Sequence, residues 1–238
     1  MQKDAAEAIN PGIKICGITR VADACFAARN GASLIGLNVF SGPRQISLPA
    51  AMDFAAAPGV RGKVVLLLAD SPAAWTASPP VMGLIHGVQF YGPPQSPAIA
   101  KLKSLGLRIY LPVSVHDAPG VNVVMRQMDE LRTLADAWLI DSHVPGQRGG
   151  TGKPFDWRIA KPLFDLSAAG DLPPLGLAGG LTAENVAAGV AALQPAFVDV
   201  SSGVEEAGRP GIKSEEKILA FVRAVRSAGG PTRSAGGE

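Results

Sequence analysis

An aspartate followed by a glycine-rich loop is the first feature of the sequence that could carry out chemistry. The apolar run at 137–140 ends on Asp141. Four glycines lie in the loop after it: Gly146, Gly149, Gly150 and Gly152. Free N–H groups in such a loop favour an anion, most often a phosphate. An acid beside a phosphate indicates chemistry on a phosphorylated sugar, although a flexible loop with a solvated aspartate gives the same pattern.

A cysteine at another predicted strand end is the second candidate. Cys16 closes the apolar segment at 13–16 and precedes Gly17. Proton transfer needs a base on one side of the substrate and an acid on the other. A thiol beside Lys14 and an anion-binding pocket is expected to have a lowered pKa, which favours the thiolate. Buried packing remains the alternative for Cys16, and it is the preferred interpretation for Cys25 in mid-helix.

The positions of these residues depend on the elements that carry them. Short apolar runs without polar alternation are typical of strands buried on both faces of a parallel sheet. Eight are predicted, at 13–16, 33–39, 63–68, 84–90, 107–115, 137–140, 174–178 and 197–201. Helical segments follow them at 21–29, 49–57, 71–77, 97–104, 121–134, 156–169, 182–193 and 214–226. Thr19, Thr182 and Ser214 are predicted as helix caps.

Eight strand–helix units in 238 residues predict an α/β fold with a single (β/α)8 TIM barrel. A doubly wound open sheet is the alternative, but it usually has fewer strands. We predict a leader over 1–12, the catalytic barrel over 13–227 and a disordered tail over 228–238. The active site of such a barrel lies at the C-terminal ends of the strands. Cys16 and Asp141 are therefore expected to face each other across its mouth.

Two glycine turns are predicted after strands seven and eight. They contain Gly179 and Gly180 in the first turn, and Ser202 and Gly203 in the second. Phosphate sites in TIM barrels are often found at these positions, where loop N–H groups and a helix N-terminus bind the anion. Glycine also serves simply to turn the chain from strand to helix. The barrel position favours the phosphate interpretation.

Composition and charge limit the classes of partner and location. The formal net charge is +2 and there is no large basic cluster, so no nucleic-acid partner is predicted. No apolar run reaches the roughly 18 residues of a membrane span, and the first residues lack a secretory signal. Two cysteines form no disulfide framework, which favours a cytoplasmic location. His86, His116 and His143 lack metal-ligand spacing, so neither a metal nor a cofactor is predicted.

Several motifs, in order along the chain, carry a family resemblance. The most specific are KICGIT at 14–19, GGTGKPFDW at 149–157 and DVSSGVE at 199–205. Others are GLNVF at 36–40 with Pro43 and Arg44, GVQ at 87–89, and LAGGLTAENV at 177–186. Together they span 14 to about 225. The sequence resembles the phosphoribosylanthranilate isomerase family of tryptophan biosynthesis.

The resemblance implies an Amadori rearrangement without a cofactor. It would convert N-(5-phospho-β-D-ribosyl)anthranilate into 1-(o-carboxyphenylamino)-1-deoxyribulose 5-phosphate. Asp141 matches the general acid that protonates the furanose ring oxygen, and Cys16 matches the base that removes the C2 proton. Arg44 matches an arginine near the anthranilate carboxylate, and Asp199 a substrate-binding aspartate. Gln89 is assigned to substrate binding with them. The phosphate is expected on Gly150, Thr151, Gly152, Gly179, Gly180, Ser202 and Gly203.

The sequence also departs from the family pattern near the predicted mouth. Tyr91 replaces a histidine after strand four, and Ser214 replaces an acid before the last helix. Gly42 extends the loop after strand two, and Leu111-Pro112 stands where a lysine is common. These changes keep two alternatives open: another phosphosugar isomerase or epimerase on this barrel, or a phosphometabolite-binding barrel without activity. The expected partner is a small phosphosugar, and the chain is expected to be a monomer or homodimer.

Overall fold

Eight parallel strands close into a barrel in which each strand pairs with its neighbours in the sequence and β8 pairs with β1. The computed structural model describes residues 10–69, 83–94, 97–115, 117–141 and 157–228. The strands are β1 Gly12–Cys16, β2 Leu34–Asn38, β3 Val64–Leu68, β4 Ile85–Phe90, β5 Arg108–Ser114, β6 Ala137–Asp141, β7 Leu175–Ala178 and β8 Phe197–Val200. The predicted (β/α)8 barrel is confirmed.

Seven α-helices cover the barrel within the described residues. They are α1 Val21–Arg29, α2 Leu48–Ala56, α3 Pro97–Ser104, α4 Ala118–Glu130, α5 Lys161–Ala169, α6 Val186–Leu193 and α7 Glu215–Ala228. Short 3-10 helices lie at Trp157–Ala160 and Ser202–Val204. The helix predicted at 71–77 lies outside the described residues, as do both chain ends at 1–9 and 229–238. The predicted leader and tail boundaries therefore stay predictions.

The alternation of side chains along each strand separates two cores. Val, Ile and Leu side chains that point outward pack against the helices, and every residue of β3 is buried. Since successive strand residues point to opposite faces, Leu34 and Asn38 share the inner face of β2, and Leu139 and Asp141 that of β6. Seven buried residues form the inner cluster: Leu34, Val65, Tyr110, Ala137, Leu139, Ala178 and Phe197. The polar residues at the C-terminal strand ends lie above this inner apolar cluster.

Two helix starts differ from the predictions. Thr19 does not cap α1. The N-cap of α1 is Arg20, whose side chain makes no capping hydrogen bond to the helix N–H groups. The Thr19 hydroxyl instead donates to the Gly211 carbonyl over 2.8 Å, which joins the loop after β1 to the loop after β8. Thr182 lies in a turn before α6, in which its N–H donates to Asn185 Oδ1. The helix α6 itself begins only at Val186. Ser214 does accept from the Lys217 N–H as a cap.

No helix among the described residues has the length and apolar character that crossing a membrane requires.

Candidate active site

One cavity at the C-terminal ends of the strands contains most of the predicted site residues. It has a volume of about 350 Å³. Its lining includes Cys16, Arg44, Asp141, Gly179, Gly180, Asp199 and Ser202. Gly203 lines a neighbouring cavity of about 610 Å³ that shares Gly180 and Ser202 with the first. Gly150, Thr151 and Gly152 lie outside the described residues.

The two proposed proton-transfer residues end separate strands and line the same cavity. Cys16 is the last residue of β1 and is buried, and Asp141 is the last residue of β6 and is half-buried. Between these strands lie β7 and β8 on one side of the barrel. A thiol and a carboxyl can therefore reach one molecule bound in this cavity from two directions.

A chain of buried polar side chains runs beneath the cavity. The Lys14 ammonium donates to Asp199 Oδ2 over 2.8 Å and to Gln89 Oε1 over 2.9 Å. The Gln89 amide in turn donates to the Tyr91 hydroxyl over 2.6 Å. Burial alone would lower the pKa of Lys14, but the adjacent Asp199 carboxylate, together with Cys16 and Tyr91, outweighs it and the pKa is raised. Gln89 thus lies behind the cavity wall, in contact with Lys14 and Tyr91.

One carboxylate oxygen of Asp199 has no donor among the described residues. Asp199 is buried, and its Oδ1 atom has no hydrogen-bond partner in the described part of the chain. Buried polar atoms in folded proteins nearly always have partners, and an unsatisfied one costs about 1–3 kcal/mol. Because Asp199 lines the cavity, its carboxylate is suited to accept a hydrogen bond from a bound hydroxyl.

The expected lowering of the Cys16 pKa is wrong. Burial raises the pKa of the Cys16 thiol and the Asp199 charge adds to the rise, while Lys14 and Lys213 act in the opposite direction. Both lysines are themselves neutralised by carboxylates, Lys14 by Asp199 and Lys213 by Glu205. Their field at the sulfur is therefore too weak to offset the loss of solvation.

Arg44 does not extend freely into the cavity. Its Nε and Nη2 atoms each donate to one oxygen of Glu205 over 2.7 Å. Glu205 Oε1 also accepts from Lys213 Nζ over 2.9 Å and from the Gly211 N–H over 2.8 Å. Burial alone would raise the pKa of Glu205, but the hydrogen bonds from Arg44 and Lys213 lower it to about 2. The DVSSGVE motif contains Glu205, but its pairing with Arg44 and Lys213 was not predicted from the sequence.

Glycines permit the close approaches around the thiol. A Cβ atom at Gly36, the β2 partner of Cys16, would lie 2.7 Å from the Cys16 sulfur. Gly17 has φ +69°, and a Cβ there would clash with the Arg44 side chain. These two positions allow the β1 end, the β2 end and the Arg44 stem to meet at one wall of the cavity.

An aromatic pair forms another part of the cavity wall. The Phe40 and Tyr91 rings lie 5.3 Å apart between centroids with a 35° tilt. Both residues line the cavity, and Tyr91 is 46% exposed although its hydroxyl reaches the buried Gln89. Burial of that hydroxyl and the nearby Cys16 raise the pKa of Tyr91. This aromatic pair gives an apolar wall to the cavity that Arg44 also lines.

The two glycine turns also contribute to the cavity lining, through Gly179, Gly180 and Ser202. Gly179 and Gly180 both have positive φ, +86° and +65°. Ser202 begins a 3-10 helix, and the first N–H groups of a helix have no acceptor within it. These turns are suited to an anion. No group of three or more His, Cys, Asp or Glu residues suited to a metal ion occurs in the described ranges.

Comparison with known proteins identifies the family. Residues 13–224 match the model of the N-(5'-phosphoribosyl)anthranilate (PRA) isomerase family. A protein from Pseudomonas paraeruginosa named N-(5'-phosphoribosyl)anthranilate isomerase is 39% identical over 91% of this chain and 96% of its own.

Two solved structures share the fold. Phosphoribosyl anthranilate isomerase from Thermotoga maritima has a TM-score of 0.71 at 27% identity, over 91% of this chain and 99% of that chain. A second phosphoribosyl anthranilate isomerase, in complex with reduced 1-(o-carboxyphenylamino)-1-deoxyribulose 5-phosphate, has a TM-score of 0.69 at 25% identity over the same shares. The chain therefore belongs to the N-(5'-phosphoribosyl)anthranilate isomerase family.

Proposed function

We propose that this chain is an enzyme of tryptophan biosynthesis that catalyses the Amadori rearrangement of N-(5'-phosphoribosyl)anthranilate. The product is 1-(o-carboxyphenylamino)-1-deoxyribulose 5-phosphate. The observation that carries the proposal is the single cavity lined by Cys16, Asp141 and Asp199 together with the glycine turns. The family membership and the ligand of the solved relative support the same substrate class.

Asp141 acts first in this mechanism, as a general acid. Its carboxyl gives a proton to the furanose ring oxygen while the anthranilate nitrogen lone pair moves toward C1. The C1–O bond breaks, and a protonated Schiff base forms between C1 and the nitrogen. The freed ring oxygen becomes a hydroxyl, so the step leaves Asp141 as a carboxylate.

Cys16 acts second, as a base. Its thiolate removes the C2 proton of the Schiff base, and the electron pair moves toward the iminium carbon to give an enolamine. The enolamine then relaxes to the ketone, with a proton added at C1 and the C2 hydroxyl proton released. The raised pKa of Cys16 makes this base strong once ionised but scarce at neutral pH. The reaction is an isomerisation and needs no oxidant.

The remaining cavity residues bind the substrate. Arg44 holds the anthranilate carboxylate through charge-assisted hydrogen bonds. The Asp199 carboxylate accepts a hydrogen bond from a ribose hydroxyl, and Gln89 supports the site through Lys14 and Tyr91. The phosphate lies on the backbone of the two glycine turns, at Gly179, Gly180, Ser202 and Gly203. Gly150, Thr151 and Gly152, outside the described residues, are proposed to complete the phosphate site.

Growth of a tryptophan auxotroph that lacks this isomerase step tests the proposal. Expression of the wild-type chain is expected to restore growth, whereas Cys16→Ala and Asp141→Asn are not. Cys25→Ala is the matched control, because Cys25 lies on α1 away from the cavity, and it is expected to complement. Full growth with both cavity variants contradicts the mechanism. Turnover of ribulose 5-phosphate without turnover of the anthranilate adduct contradicts the substrate.

Three further features are proposed with this activity. The barrel domain spans 13–227, the chain acts as a monomer or homodimer, and it works in the cytoplasm. Light scattering of the purified chain measures the oligomeric state, and a mass above that of two chains is inconsistent with the proposal.

A further inference from the structure

Glu205 forms ion pairs with two cations, Arg44 and Lys213, and Arg44 lines the cavity. Its carboxylate accepts two hydrogen bonds from Arg44, one from Lys213 and one from the Gly211 N–H. Glu205 is only 6% exposed. Its donors come from two segments: Arg44 lies in the loop after β2, and Gly211 and Lys213 lie in the loop before α7. A buried carboxylate that is held by donors from two separate segments is fixed in one position.

Within the described residues, the hydrogen bonds use only one edge of the Arg44 guanidinium. A guanidinium is a rigid planar fork with donors on several edges. Glu205 occupies the edge formed by Nε and Nη2, which leaves the Nη1 donors and the second Nη2 hydrogen for another acceptor. Arg44 lines the cavity and retains 27% exposure of its side chain. That remaining edge is therefore accessible to a second planar anion.

The charges of the cluster favour such an anion. Arg44 and Lys213 carry two positive charges, and Glu205 supplies one negative charge, so the three residues keep a net charge of +1. Without Glu205 the two cations repel each other, and the long Arg44 side chain gains many alternative rotamers. The aliphatic part of the Arg44 side chain also packs closely against Gly17, where a Cβ would clash with it, and this contact further restricts the side chain.

We propose that Glu205 is a positioning residue that fixes Arg44 so that its free edge selects substrates carrying a carboxylate on the aromatic ring. Glu205 itself does not touch the substrate. Phe40 and Tyr91 form the apolar wall on which that ring lies, and Arg44 belongs to the lining of the same cavity. The inference rests on the proposed function, and it assigns to Glu205 the selectivity for the anthranilate portion of the substrate.

Steady-state kinetics of Glu205→Gln test this inference. The two substrates are N-(5-phosphoribosyl)anthranilate and the aniline analogue without the carboxylate. For the anthranilate substrate we expect KM to rise about tenfold or more with kcat changed less than about threefold. For the aniline analogue we expect KM to be the same in wild type and variant. Equal changes for both substrates, or a loss in kcat alone, overturn the inference.

Two further variants separate positioning from folding. Glu205→Gln with Lys213→Met removes one charge of each sign and leaves Arg44 without its partner; it is expected to show the same carboxylate-specific KM rise. In an Arg44→Met background, Glu205→Gln is expected to cause no additional change in KM, because its effect acts through Arg44. An additional rise in that background overturns the inference.

Glu206→Gln is the matched control. Glu206 is the next residue, and its carboxylate pairs with Arg209 on the surface. Both KM values are expected to stay at the wild-type level. If the wild-type chain does not convert the anthranilate substrate at all, the proposed function fails. If it does and Glu205→Gln has wild-type kinetics for both substrates, only the inference about Glu205 fails.

Discussion

Removal of the Lys14 ammonium is expected to damage stability and catalysis together. In the wild type the Lys14–Asp199 ion pair is buried, with only 1% of the lysine side chain exposed. Lys14→Met leaves the Asp199 carboxylate buried without its cation. Breaking a buried ion pair by removing one partner typically costs about 3–5 kcal/mol. For a domain of this size that corresponds to a lowering of Tm by about 10 °C.

The catalytic effect follows from the Cys16 environment. Lys14 opposes the rise of the Cys16 pKa, and Asp199 promotes it. Without Lys14, the thiol pKa rises further, and each unit lowers the thiolate fraction about tenfold at pH 7. We therefore expect kcat/KM at pH 7 to fall at least about tenfold and its rising limb to move to higher pH.

Lys14→Met with Asp199→Asn separates the two charges. This double variant removes the whole pair, so it is expected to be more stable than Lys14→Met alone. Its rising limb is expected to lie below that of Lys14→Met, because the Asp199 charge next to the thiol is also gone.

Thermal unfolding by circular dichroism at pH 7 and the pH dependence of kcat/KM measure these effects. The pKa of Lys14 is raised from its ordinary 10.5, so its contribution to stability is complete below pH 10.5 and is lost only at higher pH. At pH 7 the full contribution of Lys14 to stability is therefore measured. A Lys14→Met variant with wild-type Tm and an unmoved rising limb refutes the reasoning.

Variants at three positions, Gly36, Glu205 and Tyr91, test separate parts of the site. Gly36→Ala is expected to displace the Cys16 sulfur and lower kcat by up to about 100-fold in steady-state assays, with Cys25→Ala, on α1 and outside the cavity lining, showing no such loss. The pKa of Glu205 is lowered from 4.5 to about 2, so the stability advantage of wild type over Glu205→Gln is present above pH 4.5 and disappears toward pH 2 in acid unfolding. Tyr91→Phe breaks the hydrogen bond to Gln89 but keeps the ring beside Phe40, so we expect KM to change less than about threefold, whereas Tyr91→Ala raises it more. A wild-type KM for Tyr91→Ala contradicts a role of the ring.

The strands of the barrel were predictable because their sequence signal is local. Runs such as Val64–Leu68 are apolar at every position, which only a strand buried on both faces requires. The order of the strands then followed from the repeated unit, and the polar strand ends fell at one mouth. Cys16, Asp141 and Asp199 were placed in one cavity by this reasoning, and the structure has them there.

The long-range partners were not predictable from local patterns. Arg44 and Glu205 are 161 positions apart, and only the closure of β8 on β1 brings them together. Thr19 shows the same effect: its hydroxyl resembles a helix cap in the sequence but donates to Gly211, 192 positions away. The Cys16 pKa was predicted in the wrong direction, because the neighbouring charges were visible in the sequence while their neutralisation and the burial of the sulfur were not.

Cleavage of the C2–H bond by Cys16 is the most direct test of the proposed mechanism. The measurement is the release of deuterium to solvent from substrate labelled at C2, followed in a single turnover with wild type, Cys16→Ala and Cys25→Ala. The mechanism predicts release at equal rates by wild type and Cys25→Ala, and release at least about 100-fold slower by Cys16→Ala. Release by Cys16→Ala at the wild-type rate would contradict the assignment of Cys16 as the base.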